Sequence, residues 1–88
     1  MSYGLDLSHQ AKKALKLLDK AIIKRLEQRF LELSLAPHDP RLSKPLEMGE
    51  GELTSRVGKW RILYSVNEAE KTIYIFSIEP REKAYRRF

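Results

Sequence analysis

The segment "RVGKWRILYSV", residues 56–66, joins a glycine-containing turn to a strongly apolar strand. Its alternating side chains form two sets, with Trp60, Ile62, Tyr64 and Val66 on one face and Arg61, Leu63 and Ser65 on the other. Apolar groups on both faces are typical of a central strand in a sheet. Three cations, Arg56, Lys59 and Arg61, stand near its start, so the sequence predicts a central strand that begins in a cluster of positive charge.

Two neighbouring segments complete a predicted antiparallel unit. "ELTSRV", residues 52–57, precedes the central strand, and "TIYIFSIEP", residues 72–80, follows it after the hairpin loop "NEAEK". Strict alternation in the last strand places Ile73 and Ile75 opposite Tyr74, Phe76 and Ile78. Pro80 is expected to end the strand, because proline cannot donate to a sheet ladder.

The N-terminal half predicts one more strand and two helices. "SYGLDLS", residues 2–8, alternates weakly and reads as a short strand, and Ser8 and Asp19 are candidate N-caps. The apolar stripes after them fit two helices packed as a hairpin or one long kinked helix, and we favour the hairpin. "APHDPRLSKP", residues 36–45, contains three prolines and is expected to be irregular.

The predicted fold class is α+β. A small antiparallel-rich sheet carries an N-terminal helical hairpin on one face, in the order β-α-α-β-β-β. With 88 residues the chain is long enough for one domain, residues 1–88.

Composition restricts the partners and the chemistry. The net charge is +5 and the pI is near 9.6, which favours nucleic acid, an anionic membrane surface or an acidic protein. Without cysteine there is no disulfide or cysteine-ligated metal. No apolar run approaches the ~20 residues of a membrane span. We therefore expect no membrane-spanning segment and a cytoplasmic protein, and among the three classes of partner we favour nucleic acid and protein over a membrane.

The candidate site is cationic, and we expect neither a metal nor a cofactor in it. His9 and His38 lack a metal-ligand spacing or a paired carboxylate, so histidine-based catalysis is not expected. Hairpin geometry instead brings Arg61 and Arg81 to one end of the sheet, with Tyr85 nearby. Two guanidinium groups can hold a phosphate, and an aromatic ring can stack on an unpaired base. A solvated basic surface explains the same charges equally well at this point.

Two segments show a family resemblance. "RVGKWRILYSV" followed by "IYIFSIEPREKAY" resembles the RelE/ParE superfamily of bacterial toxins from type II toxin–antitoxin modules, and "LSKPLEMGEGELTSRVG" resembles the family's approach to the central strand. The resemblance covers nearly the whole chain, includes the helical hairpin and implies the same fold. It implies a cognate antitoxin protein as partner. For the RelE branch it implies cleavage of mRNA in the ribosomal A site, and for the ParE branch poisoning of DNA gyrase.

The resemblance to RelE-type toxins implies a role for each matching residue. Arg61 would hold the scissile phosphate, Arg81 would assist the leaving oxygen, and Tyr85 would orient or stack on the substrate. Arg56, Lys59 and Lys83 would bind the substrate. The chemistry implied is attack by a ribose 2′-OH on the adjacent phosphate, without a metal.

The sequence departs from the RelE pattern on the strand before the turn. The resemblance places two lysines where this chain has Glu52 and Thr54. Glu52 is then a possible base, and Lys59 a possible source of the missing charge. The main hypothesis is a ribosome-dependent mRNA endoribonuclease. Alternatives are a ParE-like toxin that acts on gyrase without nucleolysis, and a basic RNA-binding module without catalysis.

Overall fold

The fold contains two helices and a five-stranded sheet, which confirms the predicted α+β class. The computed structural model describes residues 2–47 and 49–81. The elements are β1 (Gly4–Leu7), α1 (His9–Leu17), α2 (Lys20–Leu35), β2 (Lys44–Pro45), β3 (Leu53–Val57), β4 (Trp60–Asn67) and β5 (Thr72–Pro80).

The sheet has the strand order β1-β5-β4-β3-β2. β1 pairs parallel to β5, and every other pair is antiparallel. The parallel pair requires a crossover between the two strands, and α1 and α2 lie in the chain between them. The long strands β4 and β5 are therefore central, as their apolar character predicts.

Local capping explains why the chain forms two helices. The Ser8 side chain accepts a hydrogen bond from the Ala11 N–H at 3.1 Å and begins α1. The Asp19 carboxylate accepts from the Ile22 N–H at 3.0 Å and begins α2. Leu18, between the helices, has extended backbone angles. Both predicted N-caps and the break between the helices are confirmed.

The core lies between the helices and one face of the sheet. The helices contribute Ala11, Leu26, Phe30 and Leu33, and the central strands contribute Ile62, Tyr64, Ile73, Ile75 and Ile78, all of them buried. Arg61 is half-buried, and strand alternation places it on the opposite face, as predicted.

A β-bulge in β5 corrects the predicted facing of Ile78. Leu63 pairs with Ser77 and Tyr64 with Ile75, so Phe76 is an extra residue in β5. The bulge shifts the alternation by one position beyond Phe76. Ile78 therefore lies in the core, and the prediction that it faces away from Ile73 and Ile75 is wrong. The Ser8 hydroxyl donates to the Phe76 carbonyl at 2.9 Å and satisfies this polar group at the bulge.

The proline-rich segment, residues 36–45, was expected to be irregular, but it ends in a short strand. Lys44 pairs with Thr54 and Pro45 with Leu53, which makes β2 the edge of the sheet. An edge strand tolerates proline because one side of the strand faces solvent, and a missing N–H on that side breaks no hydrogen bond of the sheet. The buried Tyr64 hydroxyl donates to the Pro37 carbonyl at 2.7 Å, which holds the start of this segment against β4.

Candidate nucleic-acid interface

Two arginines form a cross-strand pair on the face that the helices leave open. Arg56 of β3 lies directly opposite Arg61 of β4. Directly opposite residues have Cα atoms about 5 Å apart, so the two guanidinium groups reach the same region. Gly58 makes the turn between the strands with a φ of +60°, a left-handed conformation that glycine adopts without strain.

Arg81 joins this end of the sheet through its backbone. Its N–H donates to the Lys59 carbonyl at 2.7 Å, directly after the last ladder pair, Trp60 with Pro80. Arg56, Lys59, Arg61 and Arg81 therefore lie at one end, as hairpin geometry predicts. These four side chains concentrate positive charge at this end of the sheet.

Two residues at this end were not singled out from the sequence. Glu79 pairs with Arg61 across β4 and β5, is buried, and its carboxylate accepts from the Ser77 hydroxyl at 2.9 Å. Arg25 of α2 lies against the turn, because its Nη2 would be 3.0 Å from a Cβ added at Gly58. Strict alternation assigns Glu79 to the other face, and only the bulge brings it beside Arg61. The sequence carries no signal that separates Arg25 from the other polar residues of α2.

Glu52 lies away from the arginine pair. Its carboxylate accepts from the Glu50 N–H at 2.7 Å, within the turn that precedes β3. Glu52 precedes Arg56 by four residues, which corresponds to about 13 Å along an extended strand. The structure therefore does not bring this possible base to the level of Arg61.

The remaining predicted site residues, Lys83 and Tyr85, lie outside the described residues. His9 is exposed at the first position of α1. His38 contacts the Glu68 carboxylate at 2.7 Å, beside the turn between β4 and β5 at the other end of the sheet. Within residues 2–47 and 49–81, no cluster of three or more His, Asp and Glu side chains could hold a metal ion. No helix in the same described part is long and apolar enough to cross a membrane.

The sequence matches a known family over most of its length. The sequence model of the family described as the ParE toxin of the type II toxin–antitoxin system parDE matches residues 5–85. A search of curated protein sequences finds no match.

Solved structures give the same fold. A chain of the archaeal RelE–RelB complex from Pyrococcus horikoshii is 32% identical, with a TM-score of 0.79 over 92% of this chain and 97% of that one. A chain of a RelBE toxin–antitoxin complex from Mycobacterium tuberculosis is 25% identical, with a TM-score of 0.77 over 92% of this chain and 100% of that one. The isolated RelE toxin from E. coli is 17% identical, with a TM-score of 0.78 over 98% of both chains, and its likeness concerns the fold alone.

Proposed function

Because the chain belongs to the RelE/ParE superfamily of toxins from type II toxin–antitoxin systems, we propose that it is a ribosome-dependent endoribonuclease that cleaves mRNA in the A site. The observation that carries this proposal is the Arg56–Arg61 pair, with Arg81 at the same end of the sheet. A site built from cations suits phosphodiester chemistry in which the RNA supplies the nucleophile, because guanidinium groups bind phosphate oxygens.

In the proposed reaction the ribose 2′-oxygen attacks the adjacent phosphorus. A bond forms between them and the bond from phosphorus to the 5′-oxygen breaks. The departing oxygen takes a proton from water, so the products are a 2′,3′-cyclic phosphate and a 5′-hydroxyl. Arg61 would neutralise the charge that develops on the phosphate, and Arg81 would stabilise the leaving oxygen. Fixed charges of this kind lower a barrier because they require no reorganisation during the reaction.

The proton of the 2′-OH must pass to an acceptor. Glu52, the possible base suggested by the sequence, lies about 13 Å along the strand from Arg56. A general base must be within hydrogen-bond reach of the proton that it removes, so the proposed acceptor is water and not Glu52. Tyr85, which lies outside the described residues, is proposed to orient or stack on the substrate. Lys59 and Lys83 are proposed to bind neighbouring phosphates.

A cognate antitoxin is the proposed protein partner. The Pyrococcus and Mycobacterium structures are toxin–antitoxin complexes, and their likeness to this chain extends over 92% of its length. Arg56, Lys59, Arg61 and Arg81 form what we call the cationic end of the sheet. An antitoxin that covers this end would block access of the RNA. The basic net charge of +5 favours an acidic segment for that contact.

The test uses purified ribosomes programmed with a defined mRNA, with cleavage mapped by primer extension. Wild-type protein is expected to cut in the A-site codon. Arg61→Ala is expected to reduce the rate by about 10²–10³-fold, the loss typical for one preorganised charge. Lys12→Ala, which removes an exposed cation from α1, is the matched control and should cut like the wild type. Equal rates for Arg61→Ala and wild type would refute the assignment.

A gyrase-directed toxin is the second candidate. The matching family model is that of ParE, and Glu52 and Thr54 stand where the RelE resemblance places lysines. On this reading the cationic end binds its target without chemistry. The outcome that favours it is intact mRNA on programmed ribosomes together with inhibition of DNA supercoiling by purified gyrase.

A further inference from the structure

A second cationic feature lies at the edge of the sheet. A pocket of about 310 Å³ opens between α2, the proline-rich segment and β3, and we call it the edge pocket. Its lining residues are Arg29, Pro40, Arg41, Leu42, Ser43, Lys44, Thr54 and Arg56. Four of the eight are cations and none is acidic. Two of these cations have carboxylate partners next to the pocket, and the other two do not within the described residues.

Two of the four cations are already occupied by protein groups. The Arg29 guanidinium donates to Glu32, to the Ser55 hydroxyl at 2.7 Å and to the Arg56 carbonyl at 2.8 Å. Arg41 pairs with Asp39 through two hydrogen bonds of 2.9 and 3.2 Å, and this contact lowers the pKa of the Asp39 carboxyl. These two arginines therefore shape the pocket, and the carboxylates of Glu32 and Asp39 offset their charges.

Lys44 and Arg56 have their charges available. Both are exposed, and neither forms an ion pair with any carboxylate within residues 2–47 and 49–81. Lys44 pairs with Thr54 across β2 and β3, and Arg56 follows Thr54 by two residues on the same face of β3. An ammonium and a guanidinium thus flank Thr54.

The Thr54 hydroxyl is the independent sign of a ligand. Thr54 is 3% exposed, and its Oγ1 is buried without a hydrogen-bond partner in the described part of the chain. Burying a hydroxyl without a hydrogen-bond partner is unfavourable, so most buried hydroxyls in proteins have one. Thr54 lines the edge pocket beside Lys44 and Arg56, and an oxyanion bound there would accept the hydrogen of this hydroxyl.

We propose that the edge pocket binds a backbone phosphate of the RNA strand that flanks the scissile phosphate. Lys44 and Arg56 supply the charge, and Thr54 donates its hydroxyl hydrogen. Arg56 belongs both to the edge pocket and to the pair with Arg61, so the two sites can hold neighbouring parts of one strand. The choice of RNA as the source of the phosphate rests on the proposed function.

The first test measures the salt dependence of binding to a short single-stranded oligoribonucleotide. Lys44→Ala should weaken binding about tenfold at low salt. It should also reduce the slope of log K against log salt by about 0.7, the value for one lost phosphate contact on a single strand. Lys12→Ala is the matched control and should keep the wild-type slope. An unchanged slope in Lys44→Ala overturns the proposal.

The hydroxyl is tested by Thr54→Val, which retains the shape of the side chain. This variant should lose affinity several-fold while the salt slope stays at the wild-type value, because no charge is removed. Its denaturation midpoint shows whether the fold is intact. Wild-type affinity in a folded Thr54→Val protein counts against the proposed hydrogen bond to phosphate.

Further measurements identify the source of the anion. If inorganic phosphate shifts the amide signals of residues 42–44 and 54–56 while the RNA slope does not depend on Lys44, the edge pocket takes a free anion and the proposal fails. If Lys44→Ala weakens binding of purified antitoxin and not of RNA, the edge pocket serves a carboxylate of the partner, and the proposal again fails.

The outcome for the edge pocket is separable from that for the proposed function. A wild-type protein that leaves ribosome-bound mRNA intact, but whose RNA binding depends on Lys44, refutes the nuclease and supports the pocket. A wild-type protein that cuts mRNA, with a Lys44→Ala variant that binds and cuts equally well, refutes the pocket alone.

Discussion

Gly58 is the residue on which the arrangement of the cationic end most depends. Its φ of +60° lets the chain reverse between Val57 and Trp60, which places Arg56 opposite Arg61. Most L-residues adopt this conformation at a penalty of about 1–2 kcal/mol, and asparagine and aspartate are the main exceptions. A side chain here also meets the Arg25 guanidinium, which lies 3.0 Å from the position of a Cβ.

We expect Gly58→Ala to reduce the free energy of unfolding by about 1–2 kcal/mol, measured by urea denaturation. The backbone conformation should account for most of this loss, because the end of the Arg25 side chain can move aside. Gly58→Asn separates the two effects, since asparagine also has a Cβ but tolerates the left-handed region. If Asn is as destabilising as Ala, contact with Arg25 dominates and the backbone explanation fails.

Among the site residues, the sequence predicts the positions of those that the pairing of neighbouring strands brings together. The positions of Arg56, Arg61 and Arg81 follow from the pairing of β3, β4 and β5, which alternation and turn signals indicate. The neighbours Arg25 and Glu79 could not be found in this way. Arg25 reaches the turn only through packing of α2, and Glu79 reaches Arg61 only because of the bulge.

The bulge at Phe76 is the clearest case of a structural feature that the alternation of residues along a strand does not reveal. Residues 72–80 alternate acceptably in the sequence, and an inserted residue reverses the facing of every position after it. The structure favours the bulge because it buries Ile78 instead of Glu79 in the core. The helix starts were predictable, because an N-cap is a local interaction between a side chain and an N–H three residues away.

Strand β4 holds the proline-rich segment through one buried hydroxyl. Tyr64 is fully buried and donates to the Pro37 carbonyl at 2.7 Å, and burial raises the pKa of its phenol. Tyr64→Phe removes this hydrogen bond and should lower the free energy of unfolding by about 1 kcal/mol. The loss should be no larger, because the Ser43 hydroxyl still donates to the same carbonyl at 3.3 Å. Urea denaturation measures the loss.

Tyr74→Phe is the matched control for this prediction. Tyr74 lies on β5, is 42% exposed, and its hydroxyl forms no hydrogen bond within the described residues. Its replacement should leave the unfolding free energy within about 0.5 kcal/mol of the wild type. Equal effects of the two substitutions would mean that the Tyr64 hydroxyl does not anchor the segment.

Across the whole molecule, the two ends of the sheet differ in their electrostatics. The end at Gly58 gathers arginines and lysines, whereas the other end is organised around one carboxylate. Glu68, in the turn between β4 and β5, accepts hydrogen bonds from Tyr3 at 2.7 Å and from Lys71 at 3.5 Å, and lies 2.7 Å from His38. It thus joins the N-terminal segment, the proline-rich segment and the hairpin, which are distant in sequence.

These contacts lower the pKa of the Glu68 carboxyl from 4.5 to about 2, with the contact to His38 as the largest cause. A group whose pKa is lower in the folded state stabilises the fold above its unfolded pKa. The contribution of Glu68 is therefore complete above pH 4.5 and is lost as the pH falls from 4.5 towards 2. The free energy of unfolding should decline through this window.

Glu68→Gln should remove part of that decline, because an amide does not titrate. Urea midpoints measured from about pH 5 to about pH 2 should fall less steeply for Glu68→Gln than for the wild type, and the variant should be less stable at neutral pH. Glu70→Gln removes the same charge two residues away and should keep the wild-type slope, since its side chain forms no hydrogen bond or ion pair in the described residues. Parallel curves for Glu68→Gln and wild type would mean that the three segments are held together by packing, and that the carboxylate contributes little to the fold.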